Sequence, residues 1–372
     1  MVQKNFIILL LLFSVFQGCD KDSSPVSSDN SPENYYEDPV FDVKVAKWYN
    51  GKTAAISINY DAPWGRNEDV DSIGDEVLSR GLRMDHELVT YSYVDYPEIV
   101  TRMREEAIPS GIHFFGHGHK HDLHDNFDYE YCYNSFKTCY DFMKQWGLNP
   151  IAYAYPGSYA YQVKTQFANK QAGFICARGV ELDLNLVYMC PDDVIEPVNW
   201  HYLPSVAMGT TSKSYIQNHS QLEPVLKTTL EKTAWIILLF HSIGFPNGYA
   251  YYPREEFIKN IDMIAEEDFW SGNMDRVACY IQERNNFILF IDEVSFSPDT
   301  YAYKVSFCDG LNNEIYDQPL TLDISFDYSA NVRSMHIEPA VNGIKDFQVE
   351  NNKLQMNIVP NEQKYYMTLH KE

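Results

Sequence analysis

Ile112-His113-Phe114-Phe115-Gly116-His117-Gly118-His119-Lys120-His121-Asp122-Leu123-His124 is the stretch on which the fold turns. The apolar run 112–115 reads as a buried strand. It leads directly into histidines: five of the chain's eleven lie between positions 113 and 124. Neutral imidazole is a common ligand for zinc and similar metals. α/β enzymes collect their active-site residues at the C-terminal ends of strands. A strand that ends in imidazoles therefore predicts an α/β fold and a metal-dependent site together. An exposed helical face is the other reading of His117 and His121, which are four residues apart.

Outward from this stretch, short apolar strands alternate with amphipathic helices. Strands are expected at 53–60, 86–94, 111–115, 151–155, 173–177 and 235–243. Helices are expected at 70–79, 97–106, 131–146, 163–171, 222–232, 254–266 and 275–284, with a last strand at 287–291. The 131–146 helix carries Phe136, Cys139, Phe142 and Trp146 at helical spacing and stops at Gly147-Leu148-Asn149-Pro150. Such alternation implies parallel strands in an α/β barrel or a doubly wound sheet. Beyond position 293 the helices cease. Stretches 301–307, 320–326 and 354–359 alternate in polarity between turn residues, the pattern of a small antiparallel β-sandwich.

The N-terminus reads as a targeting segment. Lys4 precedes the apolar run 6–16, too short to span a bilayer, and Gly18 stands before Cys19. This resembles a bacterial lipoprotein signal, with Cys19 lipidated. It predicts an exported protein, anchored by lipid at the bacterial outer membrane or cell surface. The expected organisation is a signal peptide at 1–18, a Ser/Asp/Pro-rich tether at 19–45, a barrel at 46–292 and a sandwich at 293–372. The remaining cysteines (132, 139, 176, 190, 279 and 308) form no CxxC pair and are read as buried thiols. A net charge of −23 and the lack of a Lys/Arg patch exclude nucleic acid and anionic lipid as partners, since both are polyanions. Twenty-eight tyrosines leave room for sugar-stacking surfaces. Trp64, Tyr155, Tyr159 and Trp200 are candidates, with core packing as the alternative for each.

Polar residues close several strands: Asn59-Tyr60-Asp61-Ala62-Pro63, His117-Gly118-His119-Lys120-His121, Tyr155-Pro156-Gly157 and Leu239-Phe240-His241. In this order they resemble the motifs of the polysaccharide deacetylases, the NodB-homology carbohydrate esterases, over roughly residues 46–290. That resemblance implies a distorted (β/α) barrel and removal of acetyl groups, N- or O-linked, from a glycan. It implies a divalent metal, Zn²⁺ or similar, on His117 and His121. Asp61 would be the base or a third ligand, His241 the general acid, and the backbone near Tyr155, Pro156 and Gly157 an oxyanion site. Two positions depart from the pattern. Ala62 stands where a second, metal-binding Asp is usual, and Ala152 or Ala154 where an arginine is usual. His119, Asp122 or His124 could complete the ligand set, although His119 is expected to point away and His124 to lie on the surface. The alternative is a catalytically inactive surface lipoprotein that binds carbohydrate on the same fold.

Overall fold

The computed structural model describes residues 39–211 and 216–371. The expected signal peptide, Cys19 and most of the expected tether lie outside the described residues. β1 (Phe41–Val45) and β2 (Ala54–Tyr60) open the described chain and belong to different layers.

β2 is buried at every position. Ile56, Ile58 and Tyr60 join the large apolar cluster that the surrounding helices cover, whereas Ser57, Asn59 and then Asp61 alternate onto the opposite face. Six further parallel strands follow: β3 (Met84–Leu88), β4 (Ile112–Gly116), β5 (Ala152–Ala154), β6 (Cys176–Val180), β7 (Leu203–Ala207) and β8 (Trp235–Phe240). They run in the order β3-β4-β5-β6-β7-β8-β2. Asn59↔Asp85 and Tyr60↔His86 pair β2 back onto β3 and close the ring, so this is a (β/α) barrel. β9 (Phe269–Ser271) adds to β2 outside the ring.

Helices Glu68–Leu78, Tyr129–Gln145, Val163–Ala172, His219–Glu231 and Arg254–Glu266 pack around it. Tyr129–Gln145 turns Cys132, Phe136, Cys139 and Met143 inward, one stripe of helical period. All six cysteines of the described residues are free and buried.

Several expectations need correction. The strand expected at 86–94 is β3, which starts earlier and ends at Leu88, and Thr90–Tyr93 is a short 3₁₀ turn. Met84-Asp85-His86-Glu87-Leu88 lacks an apolar run, so its polarity masked a fully buried strand. β7 escaped notice because Pro204 interrupts it, and proline argues against a central strand. The segment expected to close the barrel at 287–291 instead begins β10 (Ile288–Phe296), which pairs antiparallel with β11 (Thr300–Cys308).

After the barrel come β12 (Leu320–Phe326), β13 (Val332–Val341), β14 (Ile344–Gln348), β15 (Lys353–Ile358) and β16 (Asn361–Lys371). They form two antiparallel sheets, β1-β12-β15 and β10-β11-β16-β13-β14. Their inner faces share one apolar cluster that includes Val305, Leu322, Ile337, Met356 and Leu369. β1 was expected to be tether. It is an edge strand here, pairing Phe41↔Phe326 through Val45↔Leu322, with Phe41 against Tyr303 at 5.0 Å. Its acidic and proline neighbours hid the Phe41, Val43, Val45 alternation. Helix Met274–Asn286 serves both cores: Val277, Ala278 and Ile281 face the barrel, while Tyr280 joins the sandwich cluster and donates to the Ala46 carbonyl at 2.8 Å.

Candidate metal centre

Asp61, His117, His121 and His241 line one cleft of about 420 Å³, within the range of small-molecule sites. Tyr155, Gly157, Ser158, Arg178, Val180, Leu239 and Tyr249 also line it. The barrel explains the convergence. Asp61 follows β2, and its N–H donates to Phe240 O at 2.9 Å, pinning it beside the end of β8. His241 follows β8. His117 follows β4, and its N–H donates to Leu88 O at 2.8 Å.

The link from His117 to His121 is a turn, not a helix. Gly118 has φ +89° and His121 φ +29°, a conformation costly for a residue with a Cβ. The turn brings the two imidazoles to 4.8 Å between centroids. Ligand atoms of Asp61, His117 and His121 all lie within 4.8 Å of one another. Asp61 Oδ2 is 3.5 Å from His117 Nε2 and 3.4 Å from His241 Nε2. Burial alone would raise the Asp61 carboxyl. Arg178, and His117 and His241 when their rings carry a second proton, outweigh it and hold Asp61 well below the usual carboxylate range.

The residues suit a divalent cation. His117 Nδ1 lies 3.0 Å from the Ala154 carbonyl, which accepts its proton and leaves Nε2 with the lone pair. Nε2 is buried, faces Asp61 and His121, and has no hydrogen-bond partner. Burial, then His117, lowers the His121 pKa, which favours the neutral ring that a metal needs.

The other histidines of the run do not join. His119 stacks on Phe142 at 5.0 Å and bonds Thr90 Oγ1 at 3.0 Å. His124, expected on the surface, is fully buried, stacked on Phe136 at 4.2 Å with Nε2 3.0 Å from Ser135 Oγ. The Phe136 face of the neighbouring helix covers it. His113 lies at the N-terminal end of β4 with Asp85 and Asp275. That group is already engaged. Asp85 accepts from Asn273 Nδ2, Met274 N and Asn59 Nδ2 at 2.8–2.9 Å, and Asp275 accepts from His113 and Arg276 N. It caps the helix Met274–Asn286.

Ala62 is buried in the main apolar cluster, its carbonyl 3.2 Å from His86 Nδ1, and is not part of the cleft wall. Of the three residues expected at an oxyanion site, Tyr155 spends its N–H on Arg178 O at 3.1 Å and Pro156 has none. Gly157 (φ +57°) borders the cleft in a tight turn. Trp64 is core, against Phe114 at 5.4 Å, and the Tyr155 ring is buried with its hydroxyl on His201 O at 3.0 Å. Trp200 packs on the lower barrel core; Tyr159 is exposed.

Sequence reading missed Glu87, Arg178 and Tyr249. Arg178 interrupts an otherwise apolar strand, and Glu87 follows two other titratable residues in β3. A charge inside a buried strand needs a partner, and that was the available signal. Arg178 pairs in register with Ala154, one strand from where an arginine had been missed.

Fold and site together describe a (β/α)-barrel protein with a candidate His/His/Asp metal centre. Solved structures similar to it include polysaccharide and carbohydrate deacetylases. One is a Mycobacterium smegmatis protein assigned to the polysaccharide deacetylases, at TM-score 0.48 and 13% identity, covering 65% of this chain and 94% of that one. Another is the carbohydrate deacetylase Agd3, at TM-score 0.45 and 10% identity, covering 88% of this chain and 65% of that one. A third is a CE4-family pseudoenzyme from Bacillus anthracis, at TM-score 0.38 and 8% identity, covering 60% and 65%. No protein-family profile and no curated protein sequence matches the chain.

Proposed function

We propose that the protein is a metal-dependent hydrolase that removes acetyl groups, N-linked above all, from a polysaccharide or oligosaccharide. One observation carries this reading: the buried, unpartnered Nε2 of His117 meets Asp61 and His121 on one wall of a cleft that His241 closes. His117, His121 and Asp61 would hold the ion, with Zn²⁺ suited to two imidazoles and a carboxylate. Such an ion lowers the pKa of a bound water and polarises a carbonyl.

The rest is the work of this chain's own residues. Asp61 stays ionised through the neutral range, which suits a ligand and makes it a weak proton acceptor. His241 is the remaining titratable imidazole of the cleft and is not tied up as a ligand. It takes the proton-transfer role, accepting the attacking water's proton at Nε2 and returning it to the leaving amine or hydroxyl. Tyr249 packs edge-on to His241 at 5.0 Å and exposes most of its ring, forming a wall against which a sugar can lie.

Acetate release from an N-acetylated oligosaccharide tests the reading. Zn²⁺-loaded protein is expected to release acetate, with loss on chelation and in His241→Asn. Zn²⁺-bound protein that retains glycan but releases no acetate is the inactive carbohydrate binder instead. The proposal also places the protein at the bacterial surface, exported and anchored through Cys19. A Cys19→Ser variant that stays with the membrane fraction removes that placement.

A further inference from the structure

We propose that Glu87 and Arg178 form a buried positioning pair that sets the ring orientation and donor strength of His117. This rests on the reading that Asp61, His117 and His121 hold a metal.

Both side chains are almost wholly inside the barrel, Glu87 at 3% and Arg178 at 2% exposure. Arg178 donates from Nε to Glu87 Oε1 at 3.1 Å and reaches the same oxygen through a second guanidinium nitrogen. Both bonds thus fall on one oxygen of the carboxylate. The other, Oε2, is buried without a hydrogen bond and lies 3.2 Å from His117 Nδ1. The Ala154 carbonyl lies 3.0 Å from that same nitrogen. Two acceptors, one of them charged, thus converge on Nδ1. Only an Nδ1–H tautomer is compatible with them, and it turns Nε2 toward the cleft as a lone pair.

The carbonyl alone would fix the tautomer. The carboxylate adds negative charge behind the ring and strengthens its far nitrogen as a donor. An isolated buried carboxylate would be costly. Arg178 offsets that cost and locks the carboxylate's rotation, because two bonds hold Oε1 while Oε2 points at His117. Register explains why these residues meet: Ala154↔Arg178 pair across β5 and β6, and Glu87↔Phe115 across β3 and β4, two residues below His117.

The test is Zn²⁺ affinity by competition with a chromophoric chelator, together with ¹⁵N shifts of the His117 ring in metal-free protein. The variants are Glu87→Gln and the paired Glu87→Leu/Arg178→Met, which removes both charges and so stays readable if the single variant fails to fold. Expected are an Nδ1–H tautomer in the parent protein and Zn²⁺ binding about 10- to 100-fold weaker in the folded variants. Parent protein that binds Zn²⁺ while a folded variant binds within about threefold of it overturns the positioning role and leaves the metal centre standing. A parent protein with an Nε2–H His117 ring overturns the inference directly. A parent protein that binds no Zn²⁺ overturns both it and the proposed function.

Discussion

Replacing His124 by phenylalanine should make the protein relatively more acid-resistant, by an amount the structure sets. His124 is fully buried, and burial, reinforced by His117 and His121, pushes its pKa down to about 3 from an ordinary 6.5. The unfolded chain takes up this proton near pH 6.5, whereas the folded chain resists until far lower. The folded pKa is the depressed one, so the His124 contribution is intact above pH 6.5 and is lost as pH falls toward 3. At pH 5.0 the unfolded ring is 1.5 units below its own pKa. At about 1.36 kcal/mol per unit, this favours unfolding by about 2 kcal/mol relative to pH 7.5. The figure hardly depends on how far below 5 the folded value lies. Other groups contribute with the opposite sign. Glu283 is raised to about 9 by burial and Asp309, and Asp85 is raised by burial and Asp275, so both favour the folded state as pH falls. The difference between parent and variant removes these shared terms, along with any pH-independent packing cost of the new ring. Urea midpoints followed by tryptophan fluorescence at pH 7.5 and 5.0 give that difference. His124→Phe should lose about 2 kcal/mol less than the parent across the interval. Equal losses would show that His124 titrates normally in the folded protein and refute its dry, neutral environment.

Other outcomes follow from the same packing. His117→Ala should abolish high-affinity Zn²⁺ binding, whereas His119→Ala, by isothermal titration, should leave it within a few-fold. Ala62→Asp should not tighten metal binding; it places a carboxylate in the apolar cluster and should cost about 1–3 kcal/mol in urea unfolding. Phe41→Ala should destabilise the sandwich by about 3 kcal/mol, where a tether residue would cost nothing measurable. Arg178→Met alone should cost about 3–5 kcal/mol by stranding Glu87, and Glu87→Leu in the same chain should restore most of it.

The parts of the fold that repeat were legible in the chain. β8 is an uninterrupted apolar strand, β2 alternates Ile56, Ile58 and Tyr60 with Ser57 and Asn59, and the helix after His124 carries a clear 3.6-residue stripe, so periodicity placed them. β3 and β7 were not legible in the same way. One fills its burial with Asp85, His86 and Glu87, the other with Pro204, and their stability comes from partners on strands far away in sequence. The site shows the same division. Asp61, His117 and His241 directly follow strands and His121 lies in the turn after His117, and strand ends are visible in sequence. Glu87 and Arg178 lie inside strands, where only the closed ring of the barrel shows that β3 and β6 face each other. The fate of His119 and His124 depended on Phe142 and Phe136, which a histidine count does not register.

The most direct test is a crystal structure of the protein grown with Zn²⁺, with anomalous scattering measured at the zinc edge. The account predicts one strong peak bonded to His117 Nε2, to His121 and to an Asp61 oxygen at about 2.0–2.2 Å, with His241 beside it and unbonded. No peak at that position, or a peak held by His119 or His124 instead, would contradict it.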